Sequence, residues 1–390
     1  MRLRVPTERF RLVLLLGFIG VLFGCRQQKL VNLQQYAYVT NTRSNTVSVI
    51  DLDPDHNLKL VRHIPVGRAP SAISANSRRN ELYVTNTDSN NVSVVDAERN
   101  IVVATIGVHH SPVSINVTGD GRRAYVVNSD SANVSVIDLD RRIVIATVGV
   151  GGHPERAEVS PDGKVVVVAN TGGDSVTLID TIANRALSTM GICRQPGPIA
   201  ILPDSTKAFI ACTGSAQVAA VDLKSGTVLA LLDVGKTPID LALKPDGGEL
   251  FVCNSDGDSV SVIETTTNEV GGTYLIGTHP VRAVASADNS LLYVSNYGSD
   301  SVAVWSIDTG RMLASVPVGS KPQALALAPN QHFLVVADTL AGDVAVVYKR
   351  DKTTKVNPAP FALHALIPVG LQPSAIAIKA FVAPPAEPPN

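Results

Sequence analysis

The sequence predicts an all-β protein: an eight-bladed β-propeller of four-stranded antiparallel blades, closed by a C-terminal strand that pairs into the first blade. Three observations carry this. A strand core recurs at 42-residue spacing, every part of the repeat alternates apolar with small or polar residues at period two, and the first and last repeats are incomplete in complementary ways.

The core reads Tyr-Val-Thr-Asn from Tyr38 and Tyr83 and Tyr-Val-Val-Asn from Tyr125. It continues from Val167, Phe209, Phe251, Tyr293 and Val335. The first spacing is 45 residues and the next six are 42 each. Each unit has four parts. A segment after proline, such as PVSINVTGDG from Pro112, leads to the Tyr-Val-Thr-Asn strand, a Val-Ser-Val-Ile-Asp strand and a run like IVIATVGVGGHP from Ile143. Gly, Asn, Asp or Pro marks each junction, so each unit reads as four antiparallel strands. Repeats of this length and content form propeller blades or an open solenoid, and the chain ends decide between them. The first unit starts at its second strand near Tyr36, while PSAIAI, residues 373–378, is an innermost segment with no unit after it. Pairing Pro373–Ile378 with Tyr38–Asn41 completes the first blade and removes two exposed edges.

The chain has 390 residues, 45% of them hydrophobic, enough to fill a substantial core. The first eleven residues carry +3 of a net charge of −1, so the rest is near −4, which disfavours nonspecific nucleic-acid binding. That basic start runs into an apolar stretch from Leu12 to Phe23, too short to span a bilayer. It reads as an export signal over 1–24. Leu22-Phe23-Gly24-Cys25 resembles the bacterial lipobox, which implies acylation of Cys25 and a lipid anchor tethering a soluble domain to the membrane. Arg26 in place of Asp leans the address toward the outer membrane or cell surface rather than the inner membrane. Residues 25–35 then form a tether, 36–380 the propeller and 381–390 a disordered Pro-rich tail.

YVTNTRSNTVSVIDL from Tyr38, its later copies and the SPDGK turn at Ser160 resemble the YVTN family of β-propeller repeats over Tyr36 to Lys379. The resemblance implies an envelope or surface protein of bacteria or archaea and is poor in information about activity. Departures fall at Cys212 and Asp338, where Asn is expected, and in a longer last unit between Lys349 and Pro360. The eight-blade count is also similar, in architecture alone, to the haem-carrying propeller of cytochrome-type nitrite reductases.

The variable element is the Val-Gly-x-x-Pro loop, which emerges on the same face as the turn between strands two and three. It offers Arg68, His109, His110, His153, Arg194, Lys236, His279 and Lys321 around the ring, then Gln372. Four of the eight histidines and no acidic residue fall in these loops. Just after the prolines come Ser114, Arg156, Asp240 and Arg282, with Asn116 and Glu158 two residues further on. Such a ring suits an anionic small molecule, a carboxylated cofactor or a metal. The plainer reading is ordinary loop polarity, with Arg156 and Arg282 neutralised by Glu158 and Asp240. Convergence of the histidines on a metal is not certified by spacing, so no metal site is assigned. Asp256 and Asp258 read as turn residues rather than cation ligands.

There is no Cys-x-x-Cys-His, no Gly-x-Ser-x-Gly and no Gly-rich phosphate loop, so no catalytic residue is assigned. Two functions remain: a noncatalytic, monomeric envelope lipoprotein binding a small anion or an envelope protein, or an oxidoreductase or carrier with a haem-like or quinone cofactor. Nucleic acid is disfavoured, with Tyr297 alone available for stacking on the first face. On the 42-residue register Cys193 takes the place of Gly151 and Gly235, and Cys212 that of Asn170 and Asn254. An exported protein meets oxidising conditions, so the pair reads as a disulfide, the alternative being two unpaired core cysteines. Cys253 is left as a buried thiol.

Overall fold

The computed structural model describes residues 33–53, 58–350 and 360–382. The expected export segment, Cys25, residues 26–32 of the tether, the stretch 351–359 and the tail from 383 lie outside the described residues.

Eight four-stranded antiparallel sheets form the blades. We label strands a to d from the channel outward. Those of blade 3 are Pro112–Val117, Arg123–Asn128, Asn133–Asp138 and Ile143–Gly149. Strands b and c lie between neighbouring blades, so both their faces are buried; strand d is an outer edge and half of it meets solvent. The apolar–small alternation fits this, since successive side chains meet different neighbours.

Blade 1 takes its strand a from the C-terminus. Pro373–Val382 pairs antiparallel with Leu33–Asn41, placing Tyr38 opposite Ala377, Thr40 opposite Ala375 and Asn41 opposite Pro373. The ladder continues to Leu33 opposite Val382, a little beyond the repeat pattern at either end. An apolar cluster fills every seam between blades. The last seam packs Ala37, Val39 and Ile50 of blade 1 against Ala324, Val335 and Ala337 of blade 8.

The Asn that ends strand b organises the first face. Asn86 Nδ2 donates to Asn91 Oδ1 at 2.8 Å and to Ser93 Oγ at 2.9 Å, tying strand b to strand c. Asn128, Asn170 and Asn254 do the same in their blades. The loop glycine lies directly on this amide: a Cβ on Gly67 would come within 2.6 Å of Asn86, and one on Gly235 within 2.6 Å of Asn254. At these glycines an added side chain would collide with the amide, whereas blade 3 carries His109 at the same position.

Blade 5 solves the same contact covalently. Cys193 and Cys212, at the Gly and Asn positions, are disulfide-bonded with Cα atoms 5.8 Å apart, while Cys253 is a buried free thiol. The bridge closes a chain separation of 19 residues, so replacing both cysteines by Ser is expected to cost about 3 kcal/mol. Introducing the Gly–Asn pair that five other blades carry should recover part of that loss. Denaturant midpoints of the two double variants measure it; an unchanged midpoint for the Ser variant would contradict the expectation.

Blade 8 departs differently. Asp338 is fully buried at the Asn position and meets Asp343, which stands where Asn91 and Asn133 accept the amide in other blades. Both carboxyls converge on Gly319, whose N–H donates to Asp338 Oδ2 at 3.0 Å.

Candidate binding site at the channel mouth

Strand a opens with a register irregularity in every blade. In blade 6, Pro238 stands opposite Asn254 and Asp240 opposite Cys253, leaving Ile239 unpaired. The same shift leaves Glu155, Val281 and Gln323 unpaired in blades 4, 7 and 8. A bulge bends the strand and re-aims its side chains. Here Ile239, Val281 and Gln323 line the same cavity as Arg156 and Arg282, about 610 Å³ in volume.

The outer wall comes from His279, Lys321 and the b–c turn bearing Tyr297. Residues before proline are ordinarily extended, yet His279 and Lys321 have φ of 47° and 59°. Turn carboxylates of the preceding blade hold them there: the His279 N–H donates to Asp258 Oδ1 at 2.8 Å, and that of Lys321 to Asp300 Oδ1 at 2.9 Å. Asp256 accepts from the Thr237 hydroxyl at 2.7 Å. Asp256 and Asp258 thus fasten the loops of the mouth. Among the described residues no group of three or more His, Cys, Asp or Glu side chains is arranged to hold a metal.

Charge in the cavity is unbalanced. Arg282 Nη1 lies 2.5 Å from Asp240 Oδ1, and Asp240 is the main cause of its raised pKa. Arg156 stands at the same level of blade 4 and makes no ion pair among the described residues. Burial, and then the charge of Arg282, lower its pKa. Glu158, which the sequence suggested as its counter-charge, lies two residues down strand a and instead accepts the Asn116 amide at 2.7 Å. Burial pushes the Glu158 pKa up to about 7. Lys321 Nζ sits 4.8 Å from the Tyr297 ring centre and donates to the Tyr297 carbonyl at 3.2 Å. His279 Nδ1 faces Asp256 Oδ1 at 3.7 Å. Such a cavity can hold an anion.

The sequence pattern of the YNCE-like beta-propeller family matches residues 124–362. The chain belongs to that family. No curated protein matches the sequence. Among solved structures the YNCE-like propeller is similar to hydrazine synthase of Kuenenia stuttgartiensis, at 24% identity and a TM-score of 0.58, covering 74% of this chain and 96% of that one. It also resembles a functionally unknown protein from Desulfotomaculum acetoxidans at 17% identity and a TM-score of 0.58, covering 78% and 98%. A third neighbour is dihydro-heme d1 dehydrogenase NirN in complex with DHE, at 12% identity and a TM-score of 0.69, covering 89% and 75%. At these identities the likeness is one of fold.

The remaining rim residues of this YNCE-like propeller share the face without sharing the cavity. Their loops hydrogen-bond to the b–c turns all round the ring, while the turns at Ser160 and Lys244 close the opposite end of strand a. Arg68 donates to the Asp88 carbonyl at 3.0 Å and lines a separate depression with His110. His109 reaches Thr147 at 3.1 Å, His153 lies 4.0 Å from Asp130, Arg194 bonds the Gly214 carbonyl, and Lys236 is exposed. The eleven candidate positions therefore divide: Arg156, Asp240, His279, Arg282 and Lys321 meet, and six stand apart around the rim. Sequence reading missed Ile239, Val281 and Gln323, because a bulge leaves no trace in period-two alternation.

Proposed function

We propose that this YNCE-like propeller is a noncatalytic binding module of the bacterial cell envelope, anchored by lipid at Cys25 and working as a monomer. Its ligand is a small anion held at the channel mouth. The carrying observation is Arg156, a guanidinium without an ion-pair partner among the described residues, facing a cavity it shares with Arg282, His279 and Lys321. An unpaired charge in a half-enclosed cavity costs stability and is retained where function uses it. Arg156→Gln should therefore raise the melting temperature of the ligand-free protein, by roughly 2–4 °C for each kcal/mol regained, and abolish the stabilisation that small carboxylates confer on the wild type. Thermal melts of both proteins across a carboxylate panel test this. A wild type indifferent to every anion would overturn the reading.

A flat carboxylated cofactor, haem-like or quinone, is a second occupant of the same mouth, favoured by the Tyr297 ring beside Lys321. NirN, a structural neighbour, is described in complex with DHE. The visible spectrum of protein purified from its native host separates the two readings: a colourless preparation that ignores added haem counts against the cofactor.

A further inference from the structure

Resting on the mouth-binding reading, we infer that the ligand is a dianion, and specifically a dicarboxylate whose two groups are separated by an apolar spacer. The inference comes from counting charges within the cavity. Arg156 and Arg282 have one carboxylate within ion-pair distance, Asp240, which is on Arg282 and also accepts the Ala283 N–H at 2.8 Å, while Glu155 and Glu158 act on Arg156 without forming an ion pair. Arg156 is left without an ion pair among the described residues. The outer wall holds Lys321, whose ammonium contacts the ring and carbonyl of Tyr297 but forms no ion pair among the described residues. A second positive charge is left over there. His279 faces Asp256 Oδ1 at 3.7 Å.

Arg156 and Lys321 belong to blades 4 and 8, so their charges enter the cavity from different walls. Ile239, Val281 and the Tyr297 ring line the same cavity and offer apolar surface to a hydrocarbon linker. A carboxylate on each cation would replace hydration with charge-assisted hydrogen bonds, in the bidentate geometry a guanidinium favours. A compact inorganic anion would satisfy one cation and leave the apolar lining unused.

Titration calorimetry on the full chain tests this with malonate, succinate, glutarate and adipate, each against the monocarboxylate of equal carbon number, and with inorganic phosphate. At least one dicarboxylate should bind about tenfold more tightly than its monocarboxylate partner, the effect of about one extra ion pair. Arg156→Gln and Lys321→Gln should each remove that preference, while Lys236→Gln, on the same face but outside the cavity, should keep it. Equal binding of mono- and dicarboxylates through Arg156 would overturn the dianion inference and leave the anion-binding mouth standing. Phosphate binding above all the dicarboxylates would overturn it too, in favour of one compact dianionic group. If no anion binds, both readings fall.

Discussion

Ending the chain at Pro368 is expected to abolish cooperative folding of the propeller, because it removes strand a of blade 1. The lost strand supplies the ladder from Asn41 opposite Pro373 to Leu33 opposite Val382. It also supplies Ala377 and Phe381, both buried in the seam between blades 1 and 2, and the partly buried Ile376 and Ile378. Phe381 stacks near Tyr36 with ring centres 5.9 Å apart. The hydroxyls of Thr40 and Thr42 bond Ser374 at 2.9 and 2.8 Å, and Lys379 Nζ reaches across to the Asn76 carbonyl of blade 2 at 2.6 Å. Burying side chains of this size is worth about 1.5–3 kcal/mol each, so the sum approaches the whole stability of an ordinary domain, about 5–15 kcal/mol. The truncated protein should also aggregate, since strand b of blade 1 becomes an open edge. Thermal melts followed by circular dichroism check this, and a synthetic peptide spanning 369–382 added during refolding should restore part of the transition. A truncated protein that melts like the full chain would show that the ring does not depend on its closing strand.

Asp338→Asn is expected to stabilise the protein, increasingly as the pH rises. Burial, and then the adjoining carboxyl of Asp343, raise the Asp338 pKa to about 8, against about 3.9 in an unfolded chain. A group whose folded pKa is raised contributes stability that is complete below its unfolded value and is lost as the pH climbs through the folded one. The wild type should thus weaken between about pH 4 and pH 8, each pH unit of separation being worth roughly 1.4 kcal/mol. Asn removes the ionisation and supplies an amide that can donate to Asp343, as Asn128 donates to Asn133 Oδ1 at 2.8 Å. The gain should be near zero at pH 4 and a few kcal/mol at pH 9. Urea titrations of the two proteins at both pH values measure it. Parallel stability curves would mean that Asp338 does not carry the burden assigned to it.

Much of the fold was legible in the chain because it depends on local chemistry repeated eight times. Tyr-Val-Thr-Asn followed by Val-Ser-Val-Ile-Asp specifies a hairpin by alternation and turn residues alone, and the 42-residue spacing counts the blades. Ring closure was readable too, since an innermost segment at Pro373 with no unit after it matches a first unit lacking one. The Cys193–Cys212 juxtaposition followed from register, because both residues replace a Gly and an Asn that touch in five other blades.

The site was legible only in part. Residue types on the V-G-x-x-P loops identified a cationic face, but which of them line one cavity is settled only in the assembled ring, where His279 and Lys321 do and Arg194 and Lys236 do not. Lys321 stands directly before its proline, where the repeat carries Gln195, Thr237 and His279, and it lies beside a turn whose usual Thr is Tyr297. Thr42, Thr87 and Thr171 instead hold the carbonyl of the next proline, at 2.9, 2.9 and 2.7 Å. By sequence, Glu158 reads as the charge that neutralises Arg156. In three dimensions Asn116 of the neighbouring blade reaches Glu158 first. The sequence alone therefore determined the blades, their number and the face that carries charge. Tertiary structure decided which charges stay unpaired, because the bulge after each proline and the partners offered by adjacent blades arise only once the ring is assembled.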